Sequence, residues 1–244
     1  MPGASNQGRE CDYTLIKKNL EEIERRIQRA AERSGRHRSD VTLLCVTKTH
    51  PAEVLREAYD LGYREFGENK VQEMREKVPL LPGDIRWHLI GHLQKNKVKY
   101  VCGMVCMIHS VDSLELAEEI SRRAQAIGQR MPILIEVNMA GEASKFGIRP
   151  DEAVNLVRAV APLPGVQLRG LMTIPPRTDN PETNRPYFRG LRELAVDIDC
   201  QNIDNIQMNV LSMGMSEDYE VAIEEGATIV RVGTAIFGER HYNI

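Results

Sequence analysis

The chain has 244 residues, 42% of them apolar, and a formal net charge of −3. That length suits one α/β barrel with an ample core, and the nearly balanced charge argues against nucleic-acid or membrane-surface binding. No apolar stretch approaches the roughly 18 residues needed to cross a bilayer, and five irregularly spaced cysteines fit reduced thiols in the cytoplasm.

Residues 1–11 are polar and lack the apolar segment of a secretory signal. They are expected to form a disordered tail, with 12–244 as a single domain. The first element is a helix over about 12–34, with Leu20, Ile23, Ile27 and Ala30 at helical spacing and Gly35 as its stop. Short apolar strand-like runs then alternate with helical ones. The strands are expected at 41–46, 63–66, 85–90, 105–110, 133–137, 166–173, 206–211 and 229–232. The helices between them fall at 51–61, 70–78, 93–100, 112–127, 150–160, 182–196 and 217–225, with Asp112 as one expected cap. Eight strands joined by seven helices imply parallel pairing through right-handed crossovers. A closed (β/α)₈ TIM barrel follows, with the extra N-terminal helix in the wall position of the missing eighth helix. A doubly wound open sheet is the rival, but it wants a glycine-rich turn after its first strand, where Thr47-Lys48-Thr49-His50 stands. Cys102 and Cys106 have no further ligands at usable spacing, so no metal is expected.

Barrel chemistry gathers at the carboxyl ends of the strands. Lys48 ends the first strand in phase with Leu44 and Val46. If those face the barrel axis, its amine sits at the rim of an apolar interior, where desolvation favours the neutral, nucleophilic form. The seventh strand runs into Ser212-Met213-Gly214-Met215-Ser216 and the eighth into Gly233-Thr234, the two loops where barrels often bind phosphate. Arg231, between Val230 and Val232, points opposite to both and needs a partner, either a carboxylate or a ring nitrogen. Asn69 closes the second strand, and His88 within the third is expected behind the site rather than in it.

These residues resemble a known group. Val46-Thr47-Lys48-Thr49, Phe66-Gly67-Glu68-Asn69, Trp87-His88-Leu89-Ile90-Gly91-His92, Ser144-Lys145-Phe146-Gly147, Leu211-Ser212-Met213-Gly214-Met215-Ser216 and Arg231-Val232-Gly233-Thr234 are together similar to the YggS/PROSC family of pyridoxal phosphate-binding (PLP homeostasis) proteins. The likeness runs from Val41 to Gly238. It implies an alanine racemase N-terminal-domain-like barrel that holds pyridoxal 5′-phosphate (PLP) as a Schiff base on Lys48. Ser212, Gly233 and Thr234 would hold the phosphate, and Arg231 would face the pyridine nitrogen. The implied role is control of vitamin B6 supply and of amino- and keto-acid balance, without committed catalysis. Thr47 departs from the family's usual serine but keeps the hydroxyl. PLP and apo PLP-dependent enzymes are the expected partners, and a monomer is favoured over a dimer.

The alternative is a single-domain PLP-dependent amino-acid racemase. An arginine at the pyridine nitrogen makes the ring a weaker electron sink, which disfavours carbanion chemistry. Racemisation also needs a base on each face of the substrate carbon, and residues 239–244 are too few for a second domain. A cofactor-free Schiff-base aldolase acting on a sugar phosphate would use the same lysine and loops.

Overall fold

The computed structural model describes residues 6–142 and 144–238. Its eight strands are β1 (Thr42–Val46), β2 (Glu65–Glu68), β3 (Arg86–Leu89), β4 (Met107–Val111), β5 (Met131–Glu136), β6 (Val166–Met172), β7 (Ile206–Ser212) and β8 (Ile229–Val232). They close into a barrel in chain order, with every neighbouring pair parallel and β8 returning to β1.

Period-two alternation divides the apolar residues into two cores. Leu44, Val46, Ile90, Leu134, Met172, Val210 and Ile229 fill the barrel axis. Their out-of-phase neighbours, such as Leu43, Cys45, Ile133, Ile135, Val230 and Val232, join the larger shell beneath the helices. Strands such as β1 and β5 are therefore apolar on both faces, the pattern of a buried parallel sheet.

The helices are α1 (Asn6–Arg33), α2 (Ala52–Asp60), α3 (Val71–Lys77), α4 (Val98–Val101), α5 (Leu114–Ala126), α6 (Ala153–Val160), α7 (Arg185–Asp199), α8 (Tyr219–Glu224) and the single turn α9 (Thr234–Phe237). α1 packs against α2, α8 and α9 and completes the wall. Its apolar stripe of Ile16, Leu20, Ile23, Ile27, Ala30 and Ala31 is buried. Arg33 Nε donates to Glu224 Oε1 at 2.6 Å, and Asn19 Nδ2 to the Ile236 carbonyl at 2.9 Å.

Several boundaries differ from the sequence expectation, among them those of α1, α4 and α5. α1 begins at Asn6 rather than near 12, and residues 1–5 of the expected tail lie outside the described residues. The expected helix over 93–100 is a 3₁₀ turn, Lys95–Lys97, running into α4. Ser113, not Asp112, caps α5, its Oγ accepting from the Leu116 N–H at 3.4 Å. Either residue type can cap a helix. The chain leaves β4 one residue later than its apolar run suggested.

Candidate functional site

Lys48 keeps the inward phase of Leu44 and Val46 and lies half-buried at the barrel mouth. The turn that carries it is fixed from below. Thr47 Oγ1 donates to Glu68 Oε1 at 2.6 Å. Lys77 of α3, also buried, donates from Nζ to the same Glu68 oxygen at 2.6 Å and to the Thr47 carbonyl at 2.9 Å. Burial pushes the Glu68 carboxyl upward, against the Lys77 charge and the two hydrogen bonds. The Thr49 N–H, one residue past the lysine, donates to Glu73 Oε2 at 2.7 Å. The Thr47 hydroxyl is thus engaged in this cluster, and Lys48 lines the cavity.

A cavity of about 750 Å³ opens beside Lys48. Asn69, Arg231, Gly233 and Thr234 line it too, so five of the seven residues expected at the site converge there. Arg231 forms part of its floor, buried in the barrel with Val230 and Val232 turned outward as the alternation required. Nη1 donates to Ser212 Oγ at 2.7 Å and Nη2 to the Thr173 carbonyl at 2.8 Å. Burial pulls the guanidinium down to about 10, while the charges of Glu136 and Asp218 oppose the drop. Asn69 Oδ1 is buried without a hydrogen-bond partner, so the site holds an acceptor that a bound group could satisfy.

At the far wall, Ser216 on the β7–α8 loop faces the start of α9. Its Oγ lies 3.4 Å from the Gly233 nitrogen and 3.3 Å from the Ala235 nitrogen, both long, loose bonds. A Cβ at Gly233 would lie 2.9 Å from the Val46 carbonyl oxygen, so glycine is required where β8 passes β1. A hydroxyl beside backbone N–H groups is the donor set that takes a phosphate. An amine, a buried guanidinium and this cradle around one cavity fit a phosphorylated aromatic aldehyde.

The other two do not line the cavity, Ser212 against expectation and His88 in keeping with its expected place behind the site. Ser212 is fully buried beneath Arg231, and His88 is buried deeper in the barrel. Ser216 takes the place at the cavity that Ser212 was expected to hold. Alternation does not separate them: Ser212 is in phase with Val210 on the barrel axis, as Lys48 and Arg231 are with their own axial neighbours. Asn184 and Asp218, hydrogen-bonded to each other at 2.8 Å, also reach the cavity, as do Pro176–Asp179 of the β6–α7 loop. No spacing signal marks these, because a fold-level contact between α7, α8 and a loop brings them together.

Among the described residues, Glu65, His88 and Cys106 bring three metal-capable atoms within 4.8 Å of one another at the opposite rim. Arg86 Nε lies 2.7 Å from Glu65 Oε1 there, and a second cation would meet its charge.

The family described as alanine racemase, N-terminal domain, matches residues 18–241. A pyridoxal phosphate homeostasis protein of Aquifex aeolicus is 50% identical over 224 residues, covering 91% of this chain and 97% of its own. A crystal structure from Bifidobacterium adolescentis superposes with a TM-score of 0.88 at 39% identity, over 93% of this chain and 96% of the other. PipY of Synechococcus elongatus with PLP bound gives a TM-score of 0.75 at 38% identity, over 82% of this chain and 93% of PipY.

Proposed function

Because the chain belongs to the pyridoxal phosphate homeostasis proteins, within the alanine racemase N-terminal-domain family, we propose that it binds PLP as a Schiff base on Lys48 and serves PLP homeostasis without committed catalysis. The observation that carries this reading is one cavity bringing Lys48, the buried Arg231 and the Ser216–Gly233–Thr234 wall together. When bound, PLP supplies an aldehyde that a lysine amine can capture reversibly.

The residues divide the work by position. Lys48 supplies the amine at the cavity edge, held by the Thr47–Glu68–Lys77 cluster. Ser216, Gly233 and Thr234 take the phosphate. Ser212 acts one layer below, holding Arg231 rather than touching the phosphate. Arg231 would meet the ring nitrogen and, as an obligate donor, would keep that nitrogen an acceptor. His88 belongs to the same supporting layer. The half-open mouth leaves the lysine within reach of other amines, which suits a carrier that passes cofactor to apo-enzymes in the cytoplasm. No described helix is long and apolar enough to cross a membrane. The working unit is a monomer.

Adding PLP to the purified protein should give a visible absorption band that Lys48→Ala lacks. A preparation that stays colourless with excess PLP ends the proposal. Loaded protein should also restore activity to an apo PLP enzyme beyond what the same amount of free PLP restores. Amino acids incubated with it in deuterated water should retain their α-proton; exchange dependent on Lys48 would instead mark a racemase-type catalyst.

A further inference from the structure

A continuous chain of polar side chains runs through the barrel axis beneath the cavity. From Arg231 Nη1 it passes to Ser212 Oγ at 2.7 Å, then to His109 Nδ1 at 2.9 Å. From His109 Nε2 it reaches His88 Nδ1 at 2.9 Å, and from His88 Nε2 it reaches Glu65 Oε2 at 2.7 Å. Glu65 sits at the amino end of β2, on the rim opposite the mouth, where Arg86 pairs with it. Ser212 and His109 are fully buried and His88 nearly so.

The direction of each hydrogen bond follows from donor counting. A guanidinium only donates, so Ser212 Oγ accepts from Arg231. His109 is held neutral, its titration pushed well below the ordinary imidazole range by burial first and then by the Arg231 charge. It therefore carries one ring proton. If that proton were on Nδ1, it would donate to Ser212, and the Ser212 hydroxyl proton would have no acceptor among the described contacts. With the proton on Nε2, Ser212 donates to Nδ1 and His109 donates to His88 Nδ1. His88 then donates from Nε2 to the Glu65 carboxylate. Each link from Ser212 to Glu65 then pairs one donor with one acceptor, as buried polar groups require.

We propose that Arg231–Ser212–His109–His88–Glu65 is a one-way hydrogen-bond relay in which His109 and Glu65 act as positioning residues, fixing Arg231 from the opposite rim of the barrel. Both imidazoles are neutral and protonated on Nε2. A proton added at His88 Nδ1 would drive the His109 proton to Nδ1 and strand the Ser212 hydroxyl proton beside the guanidinium. The far rim is thereby wired to the group that faces the cavity. The charged and titratable groups around this wire are Glu65, Arg86 and Cys106 at His88, His88 and Arg231 at His109, and Glu136 and Asp218 at Arg231. The relay itself stands whatever fills the cavity; its effect on a bound ring rests on the function proposed above.

The test uses the full chain with ¹⁵N-labelled histidine and long-range ¹⁵N–¹H correlation, which separates the two neutral tautomers from the imidazolium. His109 is expected as the neutral Nε2–H form, with His88 in the same tautomer near neutral pH. Observing His109 as the Nδ1–H form or as a cation overturns the relay. Glu65→Leu removes the terminal acceptor and should shift the tautomer balance of His109, which Glu65 does not touch, while Glu65→Gln retains an acceptor and should leave it in place. Identical His109 spectra in Glu65→Leu and the parent disprove the wiring even if both fold. With PLP loaded, Glu65→Leu should move the visible band and Glu65→Gln should not. A chain that fails to take up PLP would sink the function and leave the tautomer result standing. The wrong tautomers would sink the relay with PLP uptake intact.

Discussion

Thr49 adopts φ 69°, a left-handed conformation that a β-branched residue rarely enters. The Glu73 carboxylate holds it there through the Thr49 N–H, and the turn presents Lys48 to the cavity. Asn tolerates this region better, so Thr49→Asn should raise stability by about 1 kcal/mol, read as a higher urea midpoint. An unchanged or lower midpoint would show that the surrounding contacts favour threonine enough to offset the strain. Glu136, inward at the end of β5, has its carboxyl pushed up to about 7 by burial and secondarily by Asp112, against Arg231. Its folded value lies above the ordinary carboxylate range. The stability it contributes is therefore present below that range and lost as pH rises toward about 7. Glu136→Gln should thus be more stable than the parent at pH 8, by about 3 kcal/mol, with the gap closing by about pH 4. Denaturation midpoints across pH check this; a gap independent of pH would mean that Glu136 is ionised throughout.

At the scale of elements, α3 is tied to β1 and β2 through one buried ion pair. Lys77 Nζ reaches Glu68 Oε1, Glu73 Oε2 and the Thr47 carbonyl, so a single ammonium braces both the strand end and the turn that carries Lys48. Lys77→Met leaves Glu68 buried without its cation and should cost about 3–5 kcal/mol. Adding Glu68→Gln should recover much of that loss, because the stranded charge, not the missing contact, is the main penalty. If the double variant is as unstable as the single one, packing dominates instead. PLP affinity should fall in Lys77→Met even where it remains folded. Sequence periodicity located these elements to within a few residues, since alternation and helical spacing are local properties of the chain. It did not show that Glu68, at the end of β2, points outward to meet a lysine on the next helix. That depends on how far α3 leans over the sheet.

At the scale of the whole molecule, α1 closes a wall that the eight βα units leave open. Its buried stripe covers α8 and α9, and through Asn19 it holds the turn that begins beside Gly233. Ile27 is fully buried at the centre of that stripe. Ile27→Ala should cost about 2–5 kcal/mol by denaturant titration, and PLP binding should weaken with it, because the wall proposed to take the phosphate rests on this helix. A loss of stability with unchanged affinity would separate α1 from the site.

The amino-acid sequence by itself determined the eightfold alternation, the closed barrel, the inward phase of Lys48 and Arg231, and the placement of five site residues around one mouth. All of these depend on the two-residue period of a strand and on where each strand ends. Only the tertiary structure decided which serine meets the cavity, why His88 lies beneath it, and that His109 and Glu65 are connected to Arg231. Alternation gives the face on which a side chain lies, whereas its height along the barrel axis comes from the stagger between neighbouring strands, a relation between segments up to 103 residues apart, as for His109 and Ser212.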